Sequence, residues 1–204
     1  MKRAICGILV LLSTLLLSPV TWAIEVQPDT LVEETAQEVL KIIKRDKDTL
    51  SGNKEKILSL VKSKILPHFN FTRMTRLAMG KNWSKASPQQ QQELEEAFRT
   101  LLVRTYYKAL AVYSDHTIKV SPVKNMVGKT DTTVKTEVIP SNGQAISINY
   151  SMGKTNNAWK VYDITVAGIS LVINYRGTFN SKTRSGGVKG LLKALNKKNR
   201  AMEA

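Results

Sequence analysis

Apolar residues in the first half of the chain recur at the three- and four-residue steps that are typical of amphipathic helices. One such stripe runs through residues 30–43, a second through residues 57–65, and a shorter third through residues 70–80. The first stripe opens with Thr30-x-x-Glu33, which has the form of a capping box. The pattern therefore predicts three helices before residue 81.

The strongest helix start in the chain is Ser87-Pro88-Gln89-Gln90. It places a serine at the N-cap, a proline at the first helical position and a glutamine at the third. We expect this helix to run to about Val112. Its apolar stripe consists of Leu94, Phe98, Leu101, Leu102, Thr105, Ala109 and Val112, and it is widened by Val103, Tyr106, Tyr107 and Leu110. A helix with so wide an apolar surface is nearly surrounded by other elements.

After His116 the period of the pattern changes from 3.6 to 2, which is typical of strands. Four strands are predicted, over residues 117–123, 132–139, 144–152 and 158–166. Short turns separate them, so they form an antiparallel meander with one apolar face. Helical periodicity returns after Gly168 and again after Gly186-Gly187. The fold class is therefore α+β, with helices packed on one face of a four-stranded antiparallel sheet.

The first 23 residues have the pattern of a secretory signal peptide. A positive start is followed by an apolar run and by Thr21-Trp22-Ala23, a plausible cleavage site. The run is roughly 14 residues long, too short for the ~20 that span a bilayer. Cys6 is the only cysteine and would leave with this segment. We expect an exported protein without disulfides, with residues 24–204 forming one domain.

The chain is strongly basic, and the compartment changes how that charge is interpreted. Loss of Lys2 and Arg3 with the signal peptide would lower the formal net charge from +15 to +13. A basic protein is often a nucleic-acid binder. An exported protein instead meets anionic lipid and envelope proteins, so we expect no nucleic-acid partner.

The side chains that carry chemistry give little support for catalysis or metal binding. Only Ser170, His116 and Asp163 could be assembled into a nucleophilic triad, and Ser170 lacks the glycine two residues later that a nucleophile elbow requires. We expect Ser170 to cap the following helix. Neither His68 nor His116 has a second ligand at the spacing of a metal site. No phosphate-binding glycine loop appears. The prediction is a protein that is not an enzyme and has no cofactor.

Two features remain open when only the residues are considered. The surplus of apolar surface fits either a filled core or a cavity, because periodicity does not distinguish them. The last helix is basic on one face, and it is either an ordinary solvated helix or a surface for a membrane or a partner. Its candidate docking residues are Lys189, Lys193, Lys197 and Lys198.

Two segments together resemble the toluene-tolerance family of periplasmic phospholipid carriers. The first is residues 71–80, with sequence FTRMTRLAMG, followed by Trp83 and the helix start at Ser87. The second is residues 157–179, which contain NAWKVYDI, GISLV and NYR and end in Phe179. In order and spacing the two segments cover most of the chain after the signal peptide.

The resemblance implies a twisted sheet covered by helices, with lipid tails held between the two layers. It implies no cofactor and no covalent chemistry. The partners that it implies are a glycerophospholipid, an outer-membrane lipoprotein-porin complex and an inner-membrane ABC transporter with a mammalian-cell-entry-type subunit. The lining that we expect for such a cavity is Leu77, Leu102, Val103, Tyr106, Tyr107, Leu110, Ile146, Ile148, Tyr150, Val161, Ile169 and Val172.

Two alternatives to a lipid carrier are kept. One is an envelope protein-binding module without lipid cargo, and the other is an esterase acting on lipids through Ser170. Extractable lipid on the purified protein separates the first alternative from a carrier, and the fate of a Ser170 variant tests the second.

Overall fold

The structure, a computed structural model, describes residues 26–46, 53–112 and 116–203. The predicted signal peptide lies outside these ranges. Within them the helices are α1 (Pro28–Arg45), α2 (Lys54–Leu60), α3 (Phe71–Met79), α4 (Pro88–Val112) and α5 (Leu171–Ala201). The strands are β1 (Thr117–Val120), β2 (Asp131–Ile139), β3 (Ile146–Thr155), β4 (Ala158–Val166) and β5 (Ile169–Ser170). A π-helical turn (Val61–Ile65) and a 3-10 turn (Leu66–His68) continue α2, and a second 3-10 turn (Gly80–Lys85) follows α3.

Side-chain caps start α3 and α4 at the positions that the sequence predicts. The amide oxygen of Asn70 accepts the backbone N–H of Arg73 at 2.8 Å and caps α3. Ser87 and Gln90 form the capping box of α4: the Ser87 hydroxyl accepts the Gln90 N–H at 3.2 Å, and Gln90 Oε1 accepts the Ser87 N–H at 3.0 Å. Each cap satisfies N–H groups that have no partner inside the helix.

The start of α1 differs from the prediction. The helix begins at Pro28, and Thr30 lies inside its first turn instead of capping it. Proline suits the first helical position because its φ is already helical and it has no N–H to satisfy. Asp29 accepts the backbone N–H of Thr30 at 3.1 Å and that of Val123 at 2.9 Å. The carboxylate therefore ties the start of α1 to the loop after β1.

The strands form a single antiparallel meander in the order β1-β2-β3-β4-β5. The α+β class and the meander are confirmed, with a fifth strand that the sequence pattern did not predict. Ala167 and Gly168, both at positive φ, form a two-residue turn that brings Ile169 against Val166. The fifth strand was missed because two residues are too few to show a period.

Alternation along β2 shows which face of the sheet is covered. Val134, Thr136 and Val138 are buried, whereas the residues between them, such as Lys135 and Glu137, are exposed. One face therefore carries the core and the other faces solvent. Helix α1 packs on the covered face through Val32, Val39 and Ile43, in contact with the sheet residues and with α2.

The segment between α2 and α3 covers the outer edge of β4. The backbone N–H of Asn70 donates to the carbonyl of Val161 at 2.8 Å, and Phe69 forms a parallel bridge with the same residue. The Lys160 ammonium donates to the Pro67 carbonyl. This segment therefore continues the hydrogen bonding of the sheet beyond the point where the short strand β5 ends.

An arginine joins α3 to the sheet. The guanidinium of Arg73 lies 3.5 Å from the centre of the Tyr162 ring and pairs with Asp131 at 2.6 Å. A Cβ at Gly153 would collide with the Arg73 Nη1 atom, so the missing side chain makes room for the guanidinium. The contact fixes the orientation of α3 over the ends of β2 to β4.

Helix α5 is a hairpin of two helical halves, residues 171–185 and 188–201. Gly186 and Gly187 break the helix between them, as the sequence predicts. The second half returns along the first, so that the Lys198 ammonium lies 5.9 Å from the centre of the Tyr175 ring and the Asn199 amide donates to the Ala97 carbonyl at 2.9 Å. Helices α3, α4 and α5 share the largest core of the described residues.

Candidate functional site

A first cavity of about 220 Å³ lies between α1 and the covered face of the sheet. On α1 its walls come from one helical face, formed by Leu31, Val32, Thr35, Ala36, Val39, Leu40 and Ile43. On the sheet they come from Ile118, Val138, Ile148, Tyr150, Met152, Val161 and Ile164. The 3.6-residue period of α1 and the two-residue period of the strands thus place two apolar surfaces against the same space. Ile65, His68 and Phe69 close one end.

A second cavity of about 170 Å³ lies between the turns after α2 and helices α3 and α4. Its lining consists of Val61, Ile65, Leu66, Phe69, Phe71, Met74, Leu102, Val103, Tyr106, Tyr107, Ile164 and Leu171. Its position explains the wide apolar surface of α4, because one part of that surface packs in the helical core while another faces this cavity.

Ile65, Phe69 and Ile164 line both cavities and form the wall between them. Each of the three side chains is only partly buried. Phe69 is stacked on Phe71, with ring centres 5.7 Å apart. Ile65 ends the π-helical turn, a local irregularity that often marks functional sites. The two cavities are therefore separated by no more than a layer of three side chains.

Neither cavity has a charged side chain in its lining at neutral pH. Among the described residues that form the two walls there is no Asp, Glu, Lys or Arg. Burial, and then the nearby Lys160 ammonium, lower the pKa of His68, which keeps this imidazole neutral. Burial, followed by the neighbouring Tyr175, raises the pKa of Tyr106, which keeps the phenol protonated. The walls suit an apolar ligand.

The residues predicted from the sequence to line a cavity separate into three groups. Leu102, Val103, Tyr106 and Tyr107 line the second cavity, and Ile148, Tyr150 and Val161 line the first. Leu77, Ile146, Ile169 and Val172 lie outside both linings; Ile169 is 63% exposed, and Val172 is buried in the helical core. The side chain of Leu110 is not among those that the structure describes.

The α1 wall of the first cavity was not predicted from the sequence. Val32, Val39 and Ile43 were recognised as one apolar face, but nothing in their spacing shows that the face looks into a cavity. Phe69 was missed because it lies in an irregular segment without a period. Phe69 does lie two positions after Pro67. An aromatic residue just after a helix-ending proline is the one sequence signal that could have pointed to a cavity wall here.

The three residues of the imagined triad do not form one. Ser170 caps α5 by accepting the Ile173 N–H at 3.0 Å, as the sequence predicts, and its hydroxyl donates to Asp163. Asp163 also accepts the Val172 N–H at 3.1 Å. His116 precedes β1 at the opposite edge of the sheet, four strand spacings or about 19 Å from β5. Ser170 and Asp163 therefore act together in a helix cap.

The described residues contain no group of three or more His, Cys, Asp or Glu side chains placed to hold a metal ion. In the same ranges, no helix combines the length and the apolar character needed to cross a membrane. The four candidate docking lysines, Lys189, Lys193, Lys197 and Lys198, are all exposed on the second half of α5.

The chain also matches a known protein family. A sequence model of the MlaC protein family matches residues 33–197. The chain is 23% identical over 165 residues to the intermembrane phospholipid transport system binding protein MlaC of Haemophilus influenzae, across 78% of this chain and 77% of that protein. It is 27% identical over 182 residues to the toluene tolerance protein ttg2D of Pseudomonas putida, across 89% of this chain and 83% of that one.

A solved structure is similar as well. It is that of a phospholipid-binding protein from Ralstonia solanacearum in complex with a phospholipid. The two folds superpose with a TM-score of 0.79 at 37% sequence identity, and the match covers 86% of this chain and 98% of the other.

Proposed function

The chain belongs to the MlaC protein family, and from that premise we propose that it is a phospholipid carrier of the periplasm. Residues 1–23 are removed as a signal peptide, and residues 24–204 form one domain that binds the acyl tails of a glycerophospholipid. The observation that carries the proposal is the pair of adjoining cavities whose linings hold no charged side chain. The relatives from Haemophilus influenzae and Ralstonia solanacearum, a phospholipid transport binding protein and a phospholipid-binding protein, support the choice of ligand.

Energetics explain why a carrier of this kind needs apolar walls and no catalytic groups. Moving an acyl chain of about 16 carbons from a bilayer into water costs roughly 13 kcal/mol at ~0.8 kcal/mol per CH₂, and two tails cost about twice as much. Unassisted crossing between membranes is therefore negligible. A cavity walled by Leu, Val, Ile, Phe and Met replaces the contacts that the tails lose.

The proposed route of the lipid runs between two membranes. The carrier exchanges cargo with an outer-membrane lipoprotein-porin complex and with an inner-membrane ABC transporter that has a mammalian-cell-entry-type subunit. The Haemophilus influenzae relative is the binding protein of an intermembrane phospholipid transport system, which supports such a multi-component route. The exposed lysines of α5 are the proposed docking surface.

Lipid content and a cavity-filling variant test the proposal together. Native mass spectrometry of the purified protein should show bound glycerophospholipid. Ala36→Trp places an indole in the first cavity and should lower the affinity for lipid about tenfold, because displacing only two CH₂ groups costs about 1.6 kcal/mol. Ala201→Trp, at an exposed helical position, is the matched control and should retain its lipid. A wild-type protein that carries no extractable lipid would rule out the carrier.

Selection among head groups is expected to be weak, because tail burial supplies the affinity. Vesicles that contain several glycerophospholipids should load the protein with all of them. Uptake of a single head group from such a mixture would contradict this expectation.

A further inference from the structure

A polar groove of about 510 Å³ adjoins the second cavity on the surface between α2 and α4. Its lining consists of Leu58, Lys62, Leu66, Pro67, Glu96, Arg99, Thr100, Val103 and Arg104. Leu66 and Val103 also line the second cavity, so the groove and the cavity lie on two sides of the same pair of residues. The boundary between polar and apolar surroundings falls at these two side chains.

Helical spacing produces this division. On α2 and the turns after it, Leu58, Lys62 and Leu66 lie four residues apart and face the groove, while Val61 and Ile65 face the cavity. The positions on α4 divide in the same way, with residues 96, 99, 100, 103 and 104 at the groove and residues 102, 103, 106 and 107 at the cavity. Two helices therefore present adjacent faces to a polar and an apolar space.

The groove has a positive balance of charge. It contains three cations, Lys62, Arg99 and Arg104, and one carboxylate, Glu96. Arg99 pairs with Glu96 through Nη2 only, which leaves its Nη1 and Nε donors available. Arg104 donates to the Asn199 carbonyl and, at 3.0 Å, to Glu203. None of the ion pairs formed among the described residues involves Lys62.

We propose that this groove holds the phosphate group of the lipid whose tails fill the cavities, with Lys62 and Arg99 as its main contacts. The inference rests on the proposed function. A glycerophospholipid has a phosphodiester close to the point where its tails begin. The groove correspondingly lies next to an apolar cavity, since Leu66 and Val103 belong to both linings. Guanidinium and ammonium groups are the usual partners of phosphate.

A phosphate contact explains how a carrier can accept many phospholipids and still reject other apolar molecules. The phosphate is common to all glycerophospholipids, so binding it does not select among head groups. Diacylglycerol has the same two tails and lacks the phosphate. The groove therefore makes the protein specific for phospholipids as a class.

Competition between two lipids with identical tails tests this assignment. Delipidated protein is equilibrated with vesicles that contain equal amounts of dioleoyl phosphatidylcholine and dioleoylglycerol, and the bound lipids are quantified by mass spectrometry. Phosphatidylcholine has no net charge, so general attraction to a basic protein does not contribute. We expect the wild type to favour phosphatidylcholine, and Lys62→Gln/Arg99→Gln to lower the ratio of bound phosphatidylcholine to diacylglycerol about tenfold, the effect of one charge-assisted hydrogen bond.

The control is Lys119→Gln/Lys135→Gln, which removes two exposed charges on β1 and β2, outside the lining of the groove, and should keep the wild-type ratio. If the double variant does not fold, the single variant Lys62→Gln, at an exposed position, takes its place in the competition. An equal ratio in the wild type, or an unchanged ratio in the variants, would overturn the assignment while leaving the carrier intact. Binding of neither lipid would instead refute the proposed function.

A second arm separates lipid phosphate from free phosphate. Inorganic phosphate is titrated into the delipidated protein and followed by the amide resonances of residues 62 and 99. We expect no saturable shifts at millimolar phosphate, because the groove is open to water and tail burial provides most of the affinity. Saturable binding that the double variant abolishes would identify a free-anion site and overturn the assignment to lipid.

Discussion

Phe69, Ile65 and Ile164 determine whether the interior is two small spaces or one larger one. Each cavity alone is smaller than the ~300 to 1,000 Å³ of typical ligand pockets. Rotation of these partly buried side chains would join the two spaces. The two tails of one lipid would then occupy the two spaces on either side of these three residues. We therefore regard Phe69, the largest of the three, as the residue that most controls how the cavities are filled.

His68 at the end of the first cavity makes stability depend on pH. Burial and Lys160 lower its pKa below the ordinary value of about 6.5, against a smaller opposing effect of Glu38. The unfolded chain therefore takes up a proton first as the pH falls, and the folded state loses stability from about pH 6.5 down to the folded-state pKa. We expect His68→Gln to lose less stability between about pH 7.5 and pH 5 than the wild type. Urea denaturation at both pH values measures this, and equal losses in the two proteins would contradict it.

Ser170 is predicted to matter for stability and not for any reaction. Ser170→Ala removes the cap of α5 and should lower the free energy of unfolding by about 1 kcal/mol. Ser185→Ala removes a hydroxyl that donates to a carbonyl within α5 and should cost less. Lipid content should be unchanged in both variants. If Ser170→Ala abolished the hydrolysis of a lipid ester by the wild type, the esterase alternative would be correct.

At the scale of elements, sequence patterns predicted the helices, the meander and most element ends, because these depend on local spacing and caps. The predictions failed where a tertiary contact decides the outcome. At the start of α1, Pro28 takes the first helical position and the neighbouring Asp29 bonds to the distant Val123, a contact that no local pattern records. The α4 and sheet residues of the cavities were predictable as apolar faces, whereas the pairing of the sheet face with α1 was not. Lys62 and Arg99 lie on separate helices, and their meeting in one groove depends on packing that no local pattern records.

The hairpin of α5 depends on one glycine more than on its neighbour. Gly187 has φ 64° and ψ −168°, a region that is nearly restricted to glycine, whereas Gly186 has φ −145°. A Cβ would meet no atom within 4 Å at either position. The effect of an alanine substitution on stability therefore depends only on backbone strain. We expect Gly187→Ala to lower the free energy of unfolding by about 1 to 3 kcal/mol and Gly186→Ala to change it by no more than about 0.5 kcal/mol. Comparable effects in thermal or urea unfolding would show that the hairpin does not depend on this conformation.

At the scale of the whole molecule, we expect the basic surface of α5 and the apolar interior to have separate tasks. Exposed charges act mainly on encounter and are screened beyond about 8 to 10 Å at physiological salt. Changing Lys189, Lys193, Lys197 and Lys198 to Gln should slow delivery of lipid to anionic vesicles, most strongly at low salt, and should leave bound lipid per protein unchanged. Fluorescent-lipid transfer at two salt concentrations measures the effect.

The matched control changes four exposed lysines on β1, β2 and the loop between them, Lys119, Lys124, Lys129 and Lys135, and so removes the same charge. This variant should deliver lipid faster than the α5 variant. Equal rates would mean that net charge, and not the α5 surface, governs delivery. Loss of bound lipid in a folded α5 variant would show that the helix forms part of the binding site.

The outer strands of the sheet are its shortest. β1 has 4 residues and β5 has 2, whereas the inner strands have 9 or 10. Beyond β5, the segment ending at Asn70 already occupies the edge of β4 at Val161. Long, exposed strand edges are templates on which further chains add and aggregate. By keeping its edges short or occupied, this sheet leaves little free backbone on which a second molecule could begin a growing fibril.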